Sequence, residues 1–383
     1  GDEVMKKLKM LSVIVASYTL IAGCAEPKIL ERLSLATLIG YDAGDEEKDI
    51  SATFIIRRVT PEFQSDVVAR SATAETTKGT RDEVSLQTAK KVAKGQLRVV
   101  LFSEEFAKEG IGQMIYNLLM NPEISNGVYL SVVEGEIKPF LEYQYENISD
   151  IGQHIYNLLG HNIEEDKLLS STIHEIGRDY YSPTRQILLP IIKRKDNLVE
   201  VTGLAFFREG QMAGRLPAED IFYVKLLREG HENGSFDLVL DGKNLESLVA
   251  NEKEVPDEIP VAFESIKSKT TMKLVNQTTP EFDVNIDINL RLTEIDDAIQ
   301  IEHKEKNEWL QKEVNKKMEA KLSDLIKYSQ ELNSDVFGFG EYYESRVRDA
   351  NLTPEEHDEM YPNMKVNIHV NSKIIRNGVF GID

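Results

Sequence analysis

Leu97-Arg98-Val99-Val100-Leu101-Phe102 is a short, nearly unbroken apolar run and reads as a buried strand. Ser103 follows as a helix cap, and Glu104 and Glu105 fall in the first turn, where the positive end of the helix dipole favours acids. That helix breaks near Gly110 and Gly112 and resumes from Met114 to Met120 before Val128 to Val133 returns as a strand. Strand, helix and strand over residues 97–133 predict an α/β unit with a parallel pair, since parallel neighbours need a crossover between them.

Upstream of this unit, Leu33 to Tyr41 and Ile50 to Val59 read as strands separated by the turn Asp42-Ala43-Gly44-Asp45-Glu46, with a third strand from Val67 to Thr76. Thr80 to Lys94 reads as a helix, with Val84, Thr88 and Lys91 or Val92 at helix spacing and Gly95 as its stop. Downstream, Ile137 to Tyr145, Ile148 to Leu159 and Lys167 to Ile176 read as helices joined by acidic turns. Gln186 to Ile192 and Val199 to Phe207 are strand-like, the second turning through Arg208-Glu209-Gly210 into Gln211 to Leu216. Pro217 and the acids behind it open a helix from Ala218 to Arg228. Residues 242–260 are polar, acidic and carry Pro256 and Pro260, which marks a boundary.

Beyond the boundary, Ala262 to Val275 and Glu281 to Thr293 alternate apolar with polar residues. Val284, Ile286, Ile288, Leu290 and Leu292 share one face, the pattern of a half-exposed antiparallel sheet. A single long helix runs from about His303 to Leu332, its stripe formed by Leu310, Val314, Met318, Leu322 and Leu325 and its exposed side by the pairs Glu308–Lys312 and Glu313–Lys317. Ser334 to Gly340 ends it, two short helical pieces follow at Tyr342 to Arg348 and Pro354 to Met360, and Lys365 to Ile374 is the last strand. The fold class is α+β or mixed α/β: multi-domain, with mixed and antiparallel sheets flanked by helices and a long C-terminal helix. The expected division is residues 32–195 for an N-terminal α/β domain, 196–258 for a middle domain or extension and 259–383 for a C-terminal α/β domain. The strands of residues 186–216 complete either the first sheet or a separate middle domain.

Residues 1–31 carry a different signal. Gly1 to Val4 precede Met5, a more natural initiator, and are set aside. Lys6, Lys7 and Lys9 form a basic patch, and Met10 to Ala22 is an apolar run interrupted by Ser12, Ser17 and Thr19. That run is about 13 residues against the roughly 20 that a helix needs to cross a bilayer, so a signal peptide over residues 1–23 is expected rather than a permanent span. Ile21-Ala22-Gly23-Cys24 closes it with an aliphatic residue, two small residues and the only cysteine of the 383 residues, an arrangement that looks like the lipobox of bacterial lipoproteins. Cys24 would then take a thioether-linked diacylglyceryl group, and two acyl chains make a stable anchor where one is marginal. Residues 24–31, with Pro27, would be the tether. A cleaved, secreted protein with an incidental cysteine is the blander alternative.

The formal charge of −20 becomes −21 once a leader with three lysines and two acids is removed. Nucleic acid is an unsuitable partner for so acidic a chain, because phosphate binding needs clustered cations. An acidic surface is also repelled by anionic lipid heads, which leaves membrane attachment to the acyl anchor. With Cys24 acylated, disulfides and cysteine metal sites are excluded.

Several stretches together resemble one family: the lipoprotein start, Leu35-Ala36-Thr37-Leu38-Ile39-Gly40-Tyr41-Asp42, Phe106-Ala107-Lys108-Glu109-Gly110, Val201-Thr202-Gly203-Leu204-Ala205-Phe206-Phe207 with Gly214-Arg215-Leu216, and the long helix running into Ser334-Asp335-Val336-Phe337-Gly338-Phe339-Gly340. Their order and spacing resemble the Ger(x)C lipoproteins, the C subunits of spore nutrient germinant receptors. One departure is Ala25-Glu26-Pro27, where many members carry Trp-Asp directly after the lipidated cysteine. The resemblance implies a three-domain α/β arrangement and a non-enzymatic lipoprotein on the outer face of the spore inner membrane. Its implied partners are the integral membrane A and B subunits, with which it acts in nutrient sensing and germination. No cofactor is implied beyond the diacylglycerol on Cys24. A lipid-anchored solute-binding protein of the envelope is the alternative, and it predicts a deep cleft with convergent polar groups. An envelope hydrolase is a weaker rival that would need a catalytic constellation.

Catalytic and metal candidates are thin. His174-Glu175-Ile176-Gly177-Arg178 starts like a zinc-protease helix but has Arg178 in place of the second histidine. His154 and His161 stand seven apart with Gly160 between them and no third ligand, and read as surface decoration. Neither a nucleophile elbow nor a nucleotide-binding glycine fingerprint occurs, and Gly338-Phe339-Gly340 reads as a turn. Glu164-Glu165-Asp166 reads as a solvated helix start in preference to a cation site. Phe337, Phe339, Tyr342 and Tyr343 read as core in preference to a docking patch. Catalytic and metal residues are therefore expected to be none, and ligand-binding residues are left open.

Overall fold

The computed structural model describes Glu3, Met5 and residues 33–44, 49–59, 65–88, 91–230, 233–243, 257–295 and 304–375. It begins with an antiparallel meander, β1 (Leu33–Ala43), β2 (Ile50–Val59) and β3 (Ser65–Ala74). Thr76 caps α1 (Thr77–Leu86) by accepting from the Gly79 amide. The short β4 (Lys91–Ala93) pairs parallel with the start of β1. The predicted α/β unit follows: β5 (Val99–Ser103), α2 (Glu104–Glu109), α3 (Gly112–Leu119) and β6 (Tyr129–Val133), with β5 and β6 parallel and Ser103 capping α2 as expected. Three helices come next, α4 (Ile137–Glu142), α5 (Ile151–Glu164) and α6 (Ile173–Tyr181). They lead to β7 (Leu188–Lys195), β8 (Leu198–Arg208), β9 (Gln211–Pro217) and α7 (Ile221–Arg228). The remaining elements are β10 (Gly234–Asp241), β11 (Glu258–Asn276), β12 (Glu281–Ile295), α8 (Lys304–Glu331), α9 (Phe339–Arg346), α10 (Pro354–Met360) and β13 (Lys365–Ile375).

Among the described residues, nine strands form one mixed sheet in the order β3-β2-β1-β5-β6-β7-β8-β9, with β4 beside β1, and four form a second, β10-β11-β12-β13. The centre of the first sheet is parallel, from β1 through β5 and β6 to β7, and is covered on both faces. Residues of β5 therefore alternate between two cores: Val99 and Leu101 join the cluster shared with the second sheet, Val100 and Phe102 the cluster under α1, α2, α3 and α6. A strand buried on both faces has no polar side, which is why residues 99–102 are apolar without a break.

The stretch 196–258 is divided between the sheets, β8 and β9 closing the first and β10 opening the second. The helix expected over Thr80 to Lys94 ends at Leu86, and Lys91–Ala93 is extended. Val84 and Val92 are both buried, but from a helix and a strand, so their helical spacing was coincidental. The helix expected from Lys167 starts only at Ile173, where Thr172 accepts from the Glu175 amide. The second sheet is not purely antiparallel: β13 runs parallel to β12, with α8 as the crossover that such a pair requires. The predicted boundary at 242–260 falls largely on residues outside those described.

Candidate functional site at the joint between the sheets

Helix α8 buries Leu310, Val314, Met318, Leu322 and Leu325, the stripe read from its sequence. Its polar flank reaches strand edges. Glu319 Oε1 accepts from the Val370 amide at 2.9 Å and Asn315 Oδ1 from the Ser372 amide at 3.0 Å, both on the outer strand β13. The Tyr328 hydroxyl accepts from the Arg215 amide and donates to its carbonyl, each at 3.1 Å, on the outer strand β9. An outer strand presents unpaired N–H and C=O groups, and here one helix occupies such groups on both sheets. Gly214 makes the approach possible, because a Cβ there would fall 2.5 Å from Leu332 and from the Tyr328 hydroxyl.

Beyond α8 the chain turns into a buried polar knot. The Ser334 hydroxyl donates to the Phe207 carbonyl of β8, and the Gln186 amide donates to the Asp335 carbonyl at 3.0 Å, so the turn is fastened to the first sheet. The Asp335 carboxylate is fully buried. It accepts from the amides of Gly338 at 2.7 Å, Phe339 at 3.1 Å and Gly340 at 2.7 Å at the start of α9, and lies 3.2 Å from His357 Nε2 on α10. Charge-assisted bonds of this length are the strong class, and the positive end of α9 adds to them. His357 stacks on Tyr361 with ring centroids 5.5 Å apart, and Tyr361 shares a hydrogen bond with Ser329 at 2.7 Å. Burial, and after it the Asp335 charge, pushes the Tyr361 phenol well above its ordinary range. Gly340 is required by contact: a Cβ there would stand 2.4 Å from the His357 ring.

A second cluster links the same elements from the other side. Asp179 on α6 is buried and pairs with Arg178 at 2.9 Å, Arg185 at 3.6 Å and Arg228 at 2.5 Å, and Arg185 continues to Glu341 on α9 at 3.0 Å. Burial first, then the neighbouring Arg228, pulls the pKa of Arg185 below its usual value. Between the sheets beside this cluster lies a cleft of about 460 Å³, lined in part by Arg185, Arg228, Thr270, Phe337, Glu341 and Tyr342. Both arginines are already engaged by carboxylates, and His357, 1 % exposed, is held between Asp335 and Tyr361. The arrangement suits a fixed mechanical joint better than a reaction centre: its polar groups hold one another and so hold the two sheets in one relative position.

Ile21, Ala22, Gly23 and Cys24 lie outside the described residues. His174 is exposed near the start of α6, while Arg178 serves Asp179. His154 and His161 ride on α5, the first half-buried with its pKa lowered by burial and the second exposed. Glu164-Glu165-Asp166 is not a helix start. Glu164 ends α5, and Asp166, with a positive φ of 59°, pairs with Lys225 at 2.7 Å and accepts from the Asn233 amide. The acids close the helix because α5 runs a turn further than its apolar spacing suggests. Phe337 and Phe339 are core, and Tyr342 and Tyr343 are partly buried with hydroxyls bonded to the Met272 and Gln277 carbonyls. Sequence reasoning did not foresee the Asp335–His357 pair or the Asp179 cluster. The first had a local signal, since an aspartate just ahead of Gly338-Phe339-Gly340 is placed to cap a helix start. The second joins residues far apart in the chain.

Comparison with known proteins accounts for most of the chain. Residues 26–194 match the family model of the spore germination protein N-terminal domain, and residues 202–378 match that of the spore germination B3/GerAC-like C-terminal domain. The chain is similar to spore germination protein GerQC of Bacillus cereus, 24% identical over 358 residues that cover 93% of this chain and 95% of that one. The crystal structure of the GerBC protein has the same fold, with a TM-score of 0.51 and 17% identity over 88% of this chain and 97% of that one. Two germination domains in tandem, divided near the β7–β8 hairpin and carrying the α8 crossover in the second, leave one conclusion: the chain belongs to the Ger(x)C family, the C subunits of spore germinant receptors.

Proposed function

We propose that this chain is the lipid-anchored C subunit of a nutrient germinant receptor, held on the outer face of the spore inner membrane through Cys24 and working with the integral membrane A and B subunits. The observation that carries the reading is the tandem family match, whose first domain begins at residue 26, two residues after the cysteine of the Ile21-Ala22-Gly23-Cys24 lipobox. No described helix is long and apolar enough to cross a membrane, so attachment in this reading falls to the two acyl chains on Cys24. The anchor confines the folded part to the plane of its partners and turns a three-dimensional encounter into a local one at high effective concentration. The role is non-enzymatic: the chain transmits or supports a conformational signal through a rigid two-sheet body.

The test is nutrient-triggered germination of spores carrying Cys24→Ala, over a panel of amino acids and sugars, with a receptor-independent trigger as control. Loss of response to one nutrient set, with the protein folded and released from the membrane fraction, supports the reading. A variant that stays membrane-bound and responds normally overturns it.

A further inference from the structure

On the face of the first sheet away from the second, α1 and α3 leave a pocket of about 220 Å³. Its wall carries three cations, Lys78, Arg81 and Lys94, and no carboxylate, although the chain as a whole has a formal charge of −20. Lys94 is 7 % exposed, and its ammonium has no hydrogen-bond partner among the described residues. The Tyr41 hydroxyl, at the end of β1, likewise has none. Asn117 and Asn121 use their side-chain carbonyls to accept from Gln113 Nε2 at 3.1 Å and from the Glu123 amide at 3.0 Å, which leaves their NH₂ groups as the free ends. The nearby acids stand outside the pocket: Asp82 pairs with Arg81 at 3.4 Å on the exposed side, and Glu123 acts on Lys94 from the turn after α3. Lys78 and Arg81 sit in the first turns of α1, a helix of ten residues whose positive end adds to the field.

The Lys94 side chain is largely buried and lines the pocket, so its charge is placed where a bound anion would offset the cost of burying it. We propose that this pocket binds a small, multiply charged oxyanion of the phosphate or phosphomonoester class, with Lys94 and Arg81 as its charge partners and Tyr41, Asn117 and Asn121 as hydrogen-bond donors. The wall combines three cations with the donor groups of Tyr41, Asn117 and Asn121 and carries no carboxylate, which matches a phosphoryl group and disfavours a cation. The volume holds a phosphate with a small ester substituent. Burial, and after it the neighbouring Arg81, lowers the Lys94 pKa to about 8, and the smaller opposing effect of Glu123 does not offset them.

Inorganic phosphate is the probe. Titrated into the full chain at constant ionic strength, it should give saturable heat and raise the melting temperature, where chloride does neither. Lys94→Gln and Arg81→Gln should each weaken binding about tenfold or more, the scale of one charge-assisted contact. Asn117→Asp, an exposed change that the fold tolerates, should weaken it by adding a negative charge, while Lys108→Gln, on a surface lysine paired with Glu104, should leave it unchanged. Competition by glycerol phosphate would identify a free phosphomonoester as the source, and retention on phosphatidic acid vesicles, lost in Lys94→Gln, would identify a lipid headgroup. Either supports the site. Absence of saturable phosphate binding, or binding unaffected by Lys94→Gln and Asn117→Asp alike, overturns it.

Discussion

Asp335 and Lys94 are both charged and buried, and they stand at opposite ends of what burial does to a charge. Asp335 accepts three amide hydrogens and faces His357, so its negative charge is compensated within the fold. Asp335→Ala strands three buried amides and an imidazole and should cost about 3–5 kcal/mol, read as a lower urea midpoint with an unchanged slope. A loss under about 1 kcal/mol would show that the turn holds without its carboxylate. Lys94 has no hydrogen-bonded partner among the described residues, and Glu123 offsets only part of the cost of its burial. Its pKa is about 8 in the folded chain against an ordinary 10.5, so between those values the unfolded chain holds a proton that the folded chain has lost, and stability rises with pH. Below about pH 8 the whole penalty, on the order of 3 kcal/mol, weighs on the folded state. Lys94→Met should therefore be more stable than the parent at neutral pH, with the advantage shrinking as pH climbs from about 8 toward 10, and shrinking too when phosphate is added to the parent. Urea unfolding across that pH range decides it, and an Lys94→Met chain that is less stable at neutral pH refutes the assignment of Lys94 as a charge only partly compensated.

At the scale of elements, α8 does two jobs with two faces. The apolar stripe supplies burial: Met318 is fully buried, and Met318→Ala should cost about 2–5 kcal/mol in melting experiments. The polar flank closes strand edges at little energetic gain, since Arg215 is exposed and its amide can turn to water; Tyr328→Phe should cost about 1 kcal/mol or less. Its effect is better seen in hydrogen exchange. The amides of Val370 and Ser372 lie on an outer strand yet are bonded to Glu319 and Asn315, so they should exchange slowly, and Glu319→Ala should speed exchange at Val370 while Ser372 stays protected. Equal speed in parent and variant would mean that the bond is not kept in solution. The stripe of α8, the meander β1–β3 and the β5–β6 unit were legible because each rests on a local period or a local cap. The parallel pairing of β13, the end of α1 and the strand β10 were not. Periodicity shows which face of a strand is buried but never which strand lies beside it, and Val92 at four residues from Thr88 looks helical until β1 claims it. The polar knot was half visible: Ser334 to Gly340 stood out as a turn, but His357 and Phe207 reach it from far along the chain.

For the molecule as a whole, the question is whether the two sheets are one mechanical body. The connecting helix α7 argues that they are. Residues Ile221 to Leu227 are all buried, Lys225 among them with Asp166 and the Leu168 carbonyl as partners, and Phe222 stacks on Phe236, which stacks on Phe263 of the second sheet. One continuous apolar cluster runs from Leu38 and Leu101 in the first sheet through α7 and α8 to Ile286 and Ile374 in the second. A linker helix in an exposed connection would let the sheets unfold apart; one embedded in a shared core makes each sheet's burial depend on the other's. Trp309, the only tryptophan, lies on α8 against this cluster, whereas the far-ultraviolet dichroism reports on the strands and helices of both sheets. Urea transitions followed by the two probes should therefore coincide, and Phe236→Ala should shift both midpoints together. If fluorescence changes well before the dichroism, the second sheet opens alone and the joint is a hinge. In that event a force applied to one sheet would be absorbed at the joint by opening, where the coupled body instead carries it from one sheet to the other as a rigid displacement.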